Sequence, residues 1–443
     1  MRRARPWAAA ALLLAAASAA PAAGQEPPGE PALHEELERM SRDLDRLRAE
    51  IAALQGRPPA PAIEAGRVEA LEAEVARLQA ELKRLAEQLK QTEGGLEGLS
   101  REDERRIALT VYGTLDWERF GGRTSVFDAH LFELVLSGRP HKRLSFIAQV
   151  EFERAASVGG ERGGEVAIEQ VYPTLAFSSL FNLRAGVFLM PFGNINIDHF
   201  PTSREVVSRP LVSQVVAPQD WADNGVGLSG RRLFASTWLV SYEAWVCAGL
   251  GADIGASGLR EARQPFGVDN NGNKALAGRA AVNRASRLEV GLSGYAGKYD
   301  DADRFWLRGF AVDALALFGP FKVTGEYDIL TAERPEGPDA RYRGHYLRAV
   351  YEFGRSVLVK TPFGKDFVEP KLALVAQWDS VAVDGDEAGV LERNRERRQT
   401  YGLNYRPAGQ WVLKLAYERN STTSRPLVRG DADGWTGAVA FVF

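Results

Sequence analysis

The chain of 443 residues has one cysteine, five histidines and three methionines, and a formal charge of only −3. A single thiol, Cys247, excludes an internal disulfide framework and any cysteine-based zinc site. It reads as a small buried or lipid-facing hydrophobe. His34, His130, His141, His199 and His345 show no H-E-x-x-H or comparable ligand spacing, and the sequence contains neither a G-x-S-x-G elbow nor a P-loop. No metal or cofactor is expected, and no enzyme; a Ser-His-Asp site assembled from remote strands is the one catalytic arrangement left open. The near-balance of charge gives no reason to expect a nucleic-acid partner. Beyond the first residues, no stretch of about 20 apolar residues could span a bilayer as a helix. The nearest, Trp238 to Leu250, is short, carries Glu243 and reads as a strand.

What is present begins with an export signature. Met1-Arg-Arg-Ala-Arg5, the Ala/Leu run Ala8–Ala17 and the small residues Ser18 to Gly24 have the layout of a secretory signal peptide over 1–24, with a single membrane anchor as the alternative. Leu33, Leu37, Met40, Leu44, Leu47, Ile51 and Leu54 then follow the 4-3-4-3 seam of a coiled coil, predicting a first segment over 25–55. Arg57-Pro-Pro-Ala-Pro61 interrupts it, so 56–66 reads as a proline-rich linker. The seam resumes at Val68, Leu71, Val75, Leu78, Leu82, Leu85 and Leu89, giving a second segment over 67–105. The two seams are out of phase across the linker, so these are separate pieces and not one rod.

From Ile107 the hydrophobic period changes to 2. Leu144, Phe146, Ala148, Val150 and Phe152 alternate with Ser145, Gln149, Glu151 and Glu153; Phe321, Val323, Tyr327 and Ile329 alternate with Lys322, Thr324, Glu326 and Asp328. Alternation also suits a soluble sandwich, but many runs here are of bilayer-crossing length, with Trp and Tyr near their ends. Connections alternate too. Ser137–Arg143, Ser178–Phe181, Gly319-Pro320 and Arg406–Gly409 are short, whereas Met190–Asn224, Gly251–Lys274, Val381–Arg397 and Asn420–Asp433 are long. Gly354–Asp366 breaks the pattern by being a long turn. The last strand places Trp435, Val439, Phe441 and Phe443 on one face, and Phe441 and Phe443 read as the aromatic end of a barrel-closing strand. The expectation is an all-β transmembrane barrel of about 16 antiparallel strands over 107–443, in the outer membrane of a Gram-negative-type bacterium, with the coiled coil in the periplasm.

The third long loop is where function is expected. It carries Asp198, His199, Arg204, Glu205, Arg209, Asp220 and Asp223 together with Pro201, Pro210 and Pro218. Pro-pinned turns and charges of both signs suit a loop folded into the lumen as a constriction and electrostatic filter. Arg184 precedes this loop, and with Arg204 and Arg209 it is the candidate anion path. Their alternative is pairing with Asp198, Glu205 or a wall carboxylate. From Ile107 onward the chain has 39 Lys+Arg and 39 Asp+Glu, so the barrel is formally neutral.

Gly186, Phe188, Pro191, Phe192 and Gly193 form a G-x-F-x-x-P-F-G signature, and Asp223, Gly225 and Gly230 a following D-x-G-x-x-x-x-G. In these two motifs the sequence resembles the phosphate-selective porins of the O and P type. The resemblance implies a 16-stranded trimeric porin with a third-loop constriction, often anion-preferring. The expected function is passive diffusion of small hydrophilic solutes, phosphate or other anions among them. Expected partners are two further copies of the chain in a homotrimer, outer-membrane lipid and, through the coiled coil, peptidoglycan. The alternative is a structural protein whose coiled coil tethers the barrel to the cell wall.

Overall fold

The computed structural model describes residues 107–154, 164–234, 237–387 and 390–443, together with Val75, which is helical. The expected signal peptide, both coiled-coil segments and the linker lie outside the described residues, Val75 excepted. Among the described residues there are sixteen strands: β1 (Ile107–Phe120), β2 (Val126–His141), β3 (Leu144–Glu153), β4 (Glu165–Ala176), β5 (Asn182–Leu189), β6 (Ala222–Phe234), β7 (Trp238–Cys247), β8 (Ala275–Arg284), β9 (Leu288–Lys298), β10 (Trp306–Phe318), β11 (Phe321–Ala332), β12 (Ala340–Phe353), β13 (Lys371–Glu387), β14 (Val390–Arg406), β15 (Trp411–Thr422) and β16 (Gly434–Val442). Every strand pairs antiparallel with its neighbours in sequence, and β1 pairs with β16, so the sheet is a closed barrel.

Closure rests on the residues that open and end the sheet. Thr114 faces Ala440 and Leu115 faces Val439 across the seam. Val111 and Phe443 exchange both backbone hydrogen bonds at 2.9 Å, so the last residue of the chain is held in the ladder. Phe443 packs edge-on against Trp411 and beside Phe441, a cluster of three rings at the rim. The two faces differ as the alternation predicts. Trp435 is 46% exposed and Leu115 48%, whereas Thr436 and Ala440 on the opposite face are wholly buried. A continuous belt of exposed Leu, Val, Phe and Trp is far larger than the apolar patches water tolerates, so this surface calls for hydrocarbon as its solvent.

Two connections at the long-loop end turn inward. L3 (190–221) joins β5 to β6 and contains a short helix, α1 (Val212–Val215); L4 (248–274) joins β7 to β8. Met190, Phe192, Leu211, Val212, Val215 and Trp221 of L3 share one buried apolar cluster with Leu250 and Leu259 of L4. Trp245, Leu307, Leu330, Tyr342 and Val383 of the wall complete it. Cys247 lies within the cluster with its thiol near the Ala275 carbonyl, 3.7 Å away. The inward face of β5–β13 is thus packed against apolar loop residues.

The sequence reading places a long loop at Val381–Arg397, and the structure corrects it: β13 and β14 continue to Glu387 and Val390 and form a long hairpin. Its charges mislead because they alternate, Arg393 pairing across to Asp384 and Arg395 to Ala382, a strand pattern with polar residues on both faces. The expected loop 190–224 is also shorter than read, since β6 begins at Ala222 and takes Asp223 into the wall. The long turn after Gly354 does not signal a miscounted strand; it holds a one-turn helix, α2 (Arg355–Leu358). Deleting residues 441–443 removes the Val111–Phe443 pair and the rim cluster. The expected outcome is loss of the folded barrel, read as disappearance of the heat-dependent mobility shift in detergent gels.

Candidate functional site

The two motifs build the base of L3. Gly186 and Gly225 face each other across β5 and β6. Gly186 has φ +139°, and a Cβ at either position would collide with the backbone of the neighbouring strand, at Val171 or Val246. Gly227, where a Cβ would strike the Trp245 indole, leaves room for that ring, on which Phe188 stacks face to face with ring centres 3.7 Å apart. Pro191 and Phe192 are buried, Phe192 against Trp221. A Cβ on Gly193, at φ +71°, would meet the Glu326 carboxylate. Gly230 passes close to the Leu180 carbonyl. Asp223 accepts from the Asn224 amide at 2.7 Å and from the Gly249 amide at 2.9 Å, tying β6 to the start of L4. Asn196 closes the loop, donating to the Met190 and Trp221 carbonyls and accepting from the Trp221 amide at 2.9 Å.

From this base L3 runs across the inside of the barrel. The Gly193 amide donates to Ser293 on β9, and the Asn194 and Ile195 amides donate to one oxygen of Glu326 on β11 at 2.6 and 3.0 Å. His199 meets Glu169 on β4 at 3.0 Å, and Phe200 stacks on Tyr112 of β1. Lys414 of β15 donates to the Pro201 carbonyl at 2.6 Å, and Arg406 of β14 to that of Thr202 at 3.0 Å. Farther along, Arg398 of β14 donates to the Arg209 carbonyl and the Leu211 amide to Asp379 on β13. The loop therefore touches inward-facing side chains on both sides of the cylinder.

Glu205 is the electrostatic centre of the crossing. Arg406 donates to it at 2.9 Å, Lys322 at 3.2 Å and Asn404 at 3.2 Å. Burial pushes its carboxyl up, but Arg406 and Lys322 outweigh that and hold it at about 2. Arg209 and Asp220 form a buried ion pair at 2.5 Å. Burial would lift Asp220, yet Arg209 and His199 keep it below the usual carboxylate range. For His199 burial works against the charged imidazole, and the Glu169 carboxylate reverses this, raising it to about 9. Arg204, buried and repelled by Arg209, is lowered to about 10.

Of the residues singled out from sequence, His199, Arg204, Glu205, Arg209 and Asp220 are buried or nearly so inside the barrel, while Asp198 stays exposed. Arg184 is not with them. It lies on β5, pairs with Glu243 of β7 at 2.7 Å and sits over the Tyr172 ring. Asp223 belongs to the wall. The sequence reading missed the wall partners Glu133, Gln149, Glu169, Asn404 and Arg406. Their only local signal is a polar residue at an inward position, which every strand of such a wall carries.

No protein-family profile matches the chain. A curated relative from Aquifex aeolicus (strain VF5), described as an uncharacterized protein, is 26% identical over 330 residues, 68% of this chain and 71% of the relative. Among solved structures, Salmonella typhi OmpF, determined in complex with daunomycin, is similar with a TM-score of 0.51 at 13% identity, over 77% of this chain and 99% of that one. The anion-selective porin from Comamonas acidovorans gives 0.47 at 13% identity, covering 76% of this chain and 100% of the porin. The outer membrane channel DcaP of Acinetobacter baumannii gives 0.47 at 13% identity, covering 76% and 97%. The fold of this chain is accordingly a porin-like closed barrel of sixteen antiparallel strands.

Gly186→Ala forces a side chain into a left-handed backbone position beside the Val171 carbonyl; a loss of about 1–3 kcal/mol is expected, read as a lower thermal midpoint in detergent. Glu205→Gln lowers the midpoint at neutral pH by the equivalent of about 3 kcal/mol. Because the folded carboxyl sits near 2 against 4.5 in an unperturbed glutamate, its contribution is complete above pH 4.5. The gap between wild type and variant closes as the pH falls from there through 2.

Proposed function

We propose that the protein is an outer-membrane porin through which small hydrophilic solutes diffuse passively, with L3 narrowing the path and favouring anions. The observation that carries this reading is the seating of the charged tip of L3 on the inward faces of β4, β11, β14 and β15 inside a barrel with an apolar exterior. Around that tip Arg204, Lys322 and Arg406 gather against Glu205 and Asp116, an excess of positive charge. A narrow, low-dielectric passage magnifies such an excess. Phosphate is the anion that the motif resemblance suggests, and the same resemblance suggests a homotrimer. The chain acts as a channel and not as an enzyme. Its coiled coil lies in the periplasm, where peptidoglycan is within reach as a partner.

Single-channel recording in planar bilayers tests this. Small, stepwise conductance with a reversal potential on the anion side in a salt gradient is expected, and purified protein giving no steps overturns the porin. Replacing 198–209 with a short Gly-Ser link should raise unit conductance several-fold; an unchanged value removes the constriction from the account. Lys322→Gln should move the reversal potential toward cation preference. Deleting 25–105 should leave conductance intact, and a loss of cell-wall attachment in that variant would assign the coiled coil a tethering role.

A further inference from the structure

One of the contacts of L3 with the wall stands apart from the basic residues around Glu205. Where L3 passes β2, β3 and β4, Glu133, Glu151, Glu169, Asp220 and His199 come together, with Gln149 among them. Glu133 and Glu151 are register partners across β2 and β3. Glu169 is the extra residue of a bulge in β4, between the pairs Gln149↔Gln170 and Val150↔Ile168. Alternation from Ala167, opposite Glu151, already turns Glu169 inside, and the bulge brings Gln170 to the same face, where it donates to Gln149.

We infer that a divalent transition-metal ion, of the zinc type, is held between Glu133, Glu169 and His199 and fastens L3 to the barrel wall. One donor atom from each of the three lies within 4.8 Å of the other two, and all three side chains are buried. The His199 Nε2 and Glu169 Oε2 atoms are 3.0 Å apart, close to the edge of about 3.3 Å in a tetrahedron built on bonds of about 2.0 Å. Rotation of the carboxylates closes the rest. His199 is oriented as a ligand: Nδ1 meets the Asn196 carbonyl at 2.9 Å and donates to it, which directs Nε2 at the carboxylates. Gln149 donates to one oxygen of Glu133 and one of Glu169. That leaves Glu133 Oε2, fully buried, without a hydrogen-bond partner among the described residues. Such an oxygen is costly unless something positive faces it.

Glu151 lies in hydrogen-bond contact with Glu169, and Asp220 joins them in a second triad of donor atoms. Four carboxyl groups are therefore packed together, with His199 on Glu169 and Arg209 on Asp220. An imidazole with two carboxylates is a donor set for zinc and its neighbours, whereas calcium and magnesium take oxygen donors alone and more of them. When the ion binds, His199 gives up the proton on Nε2 and keeps the one on Nδ1. The inference stands apart from the channel reading, since a sealed barrel could hold the same ion.

The full chain, folded in detergent and stripped with a chelator, is dialysed against Zn²⁺ and the retained metal measured. One tightly held equivalent per chain is expected, with a rise in thermal midpoint on loading. Glu133→Gln and His199→Gln should each weaken retention about 10–100-fold, while His130→Ala, at a separate cluster, should not. Failure of the wild type to retain an equivalent overturns the inference, as does unchanged retention in both ligand variants or its loss in His130→Ala. Should the variants not fold, a zinc-edge anomalous map of wild-type crystals decides: a peak between the three residues is expected, and a map without one refutes the site.

Discussion

A wall immersed in hydrocarbon must satisfy every backbone N–H and C=O within itself, and a cylinder with no edge is the sheet that does so. The β1–β16 seam meets this requirement, and everything else depends on it. Once the sheet closes, its two faces have different solvents. The outer one carries leucine, valine and aromatic rings because lipid covers it. The inner one carries polar and charged groups because loops and water must satisfy them. The backbone of Phe443 serves the same demand, exchanging both hydrogen bonds with Val111.

Within that cylinder L3 is held by two chemistries of different kind. Its base, from Met190 to Phe192 and from Leu211 to Trp221, is apolar and packs with L4 against β7 to β13. Its tip is charged and is held by side chains reaching in from β4, β11, β14 and β15. The apolar base gives the loop its place, and the charged tip sets the field there. Breaking one partner of a buried charge cluster leaves the others uncompensated, so the arrangement around Glu205 resists piecemeal change.

Much of the wall was legible in the sequence, because a half-buried strand writes its period in alternate residues. Strand number and the place of L3 follow from that period, whereas the alternation of long and short connections fails at β12–β13 and β13–β14. The hairpin of β13 and β14 escaped notice because charged residues occupy both of its faces, so a segment such as Leu391-Glu-Arg-Asn-Arg-Glu-Arg-Arg398 looks like a loop. The inward course of L3 could be anticipated from its prolines and mixed charges, but its partners could not. The register between a loop and a wall on the far side of a barrel leaves no periodic trace. Arg184 shows the cost: it stands next to the motif in sequence, yet its carboxylate partner, Glu243, is on β7. What the motif glycines do is seen only in the structure, in the close approach of backbones at Gly186 and Gly225.

The contact between Lys414 and Pro201 joins residues 213 positions apart. L3 is made long before its anchors on β14 and β15 exist, so during biogenesis it has nowhere to dock. Its charged tip lacks those partners until β14 and β15 are in place. Seating of this loop and sealing of the cylinder are then late, coupled events.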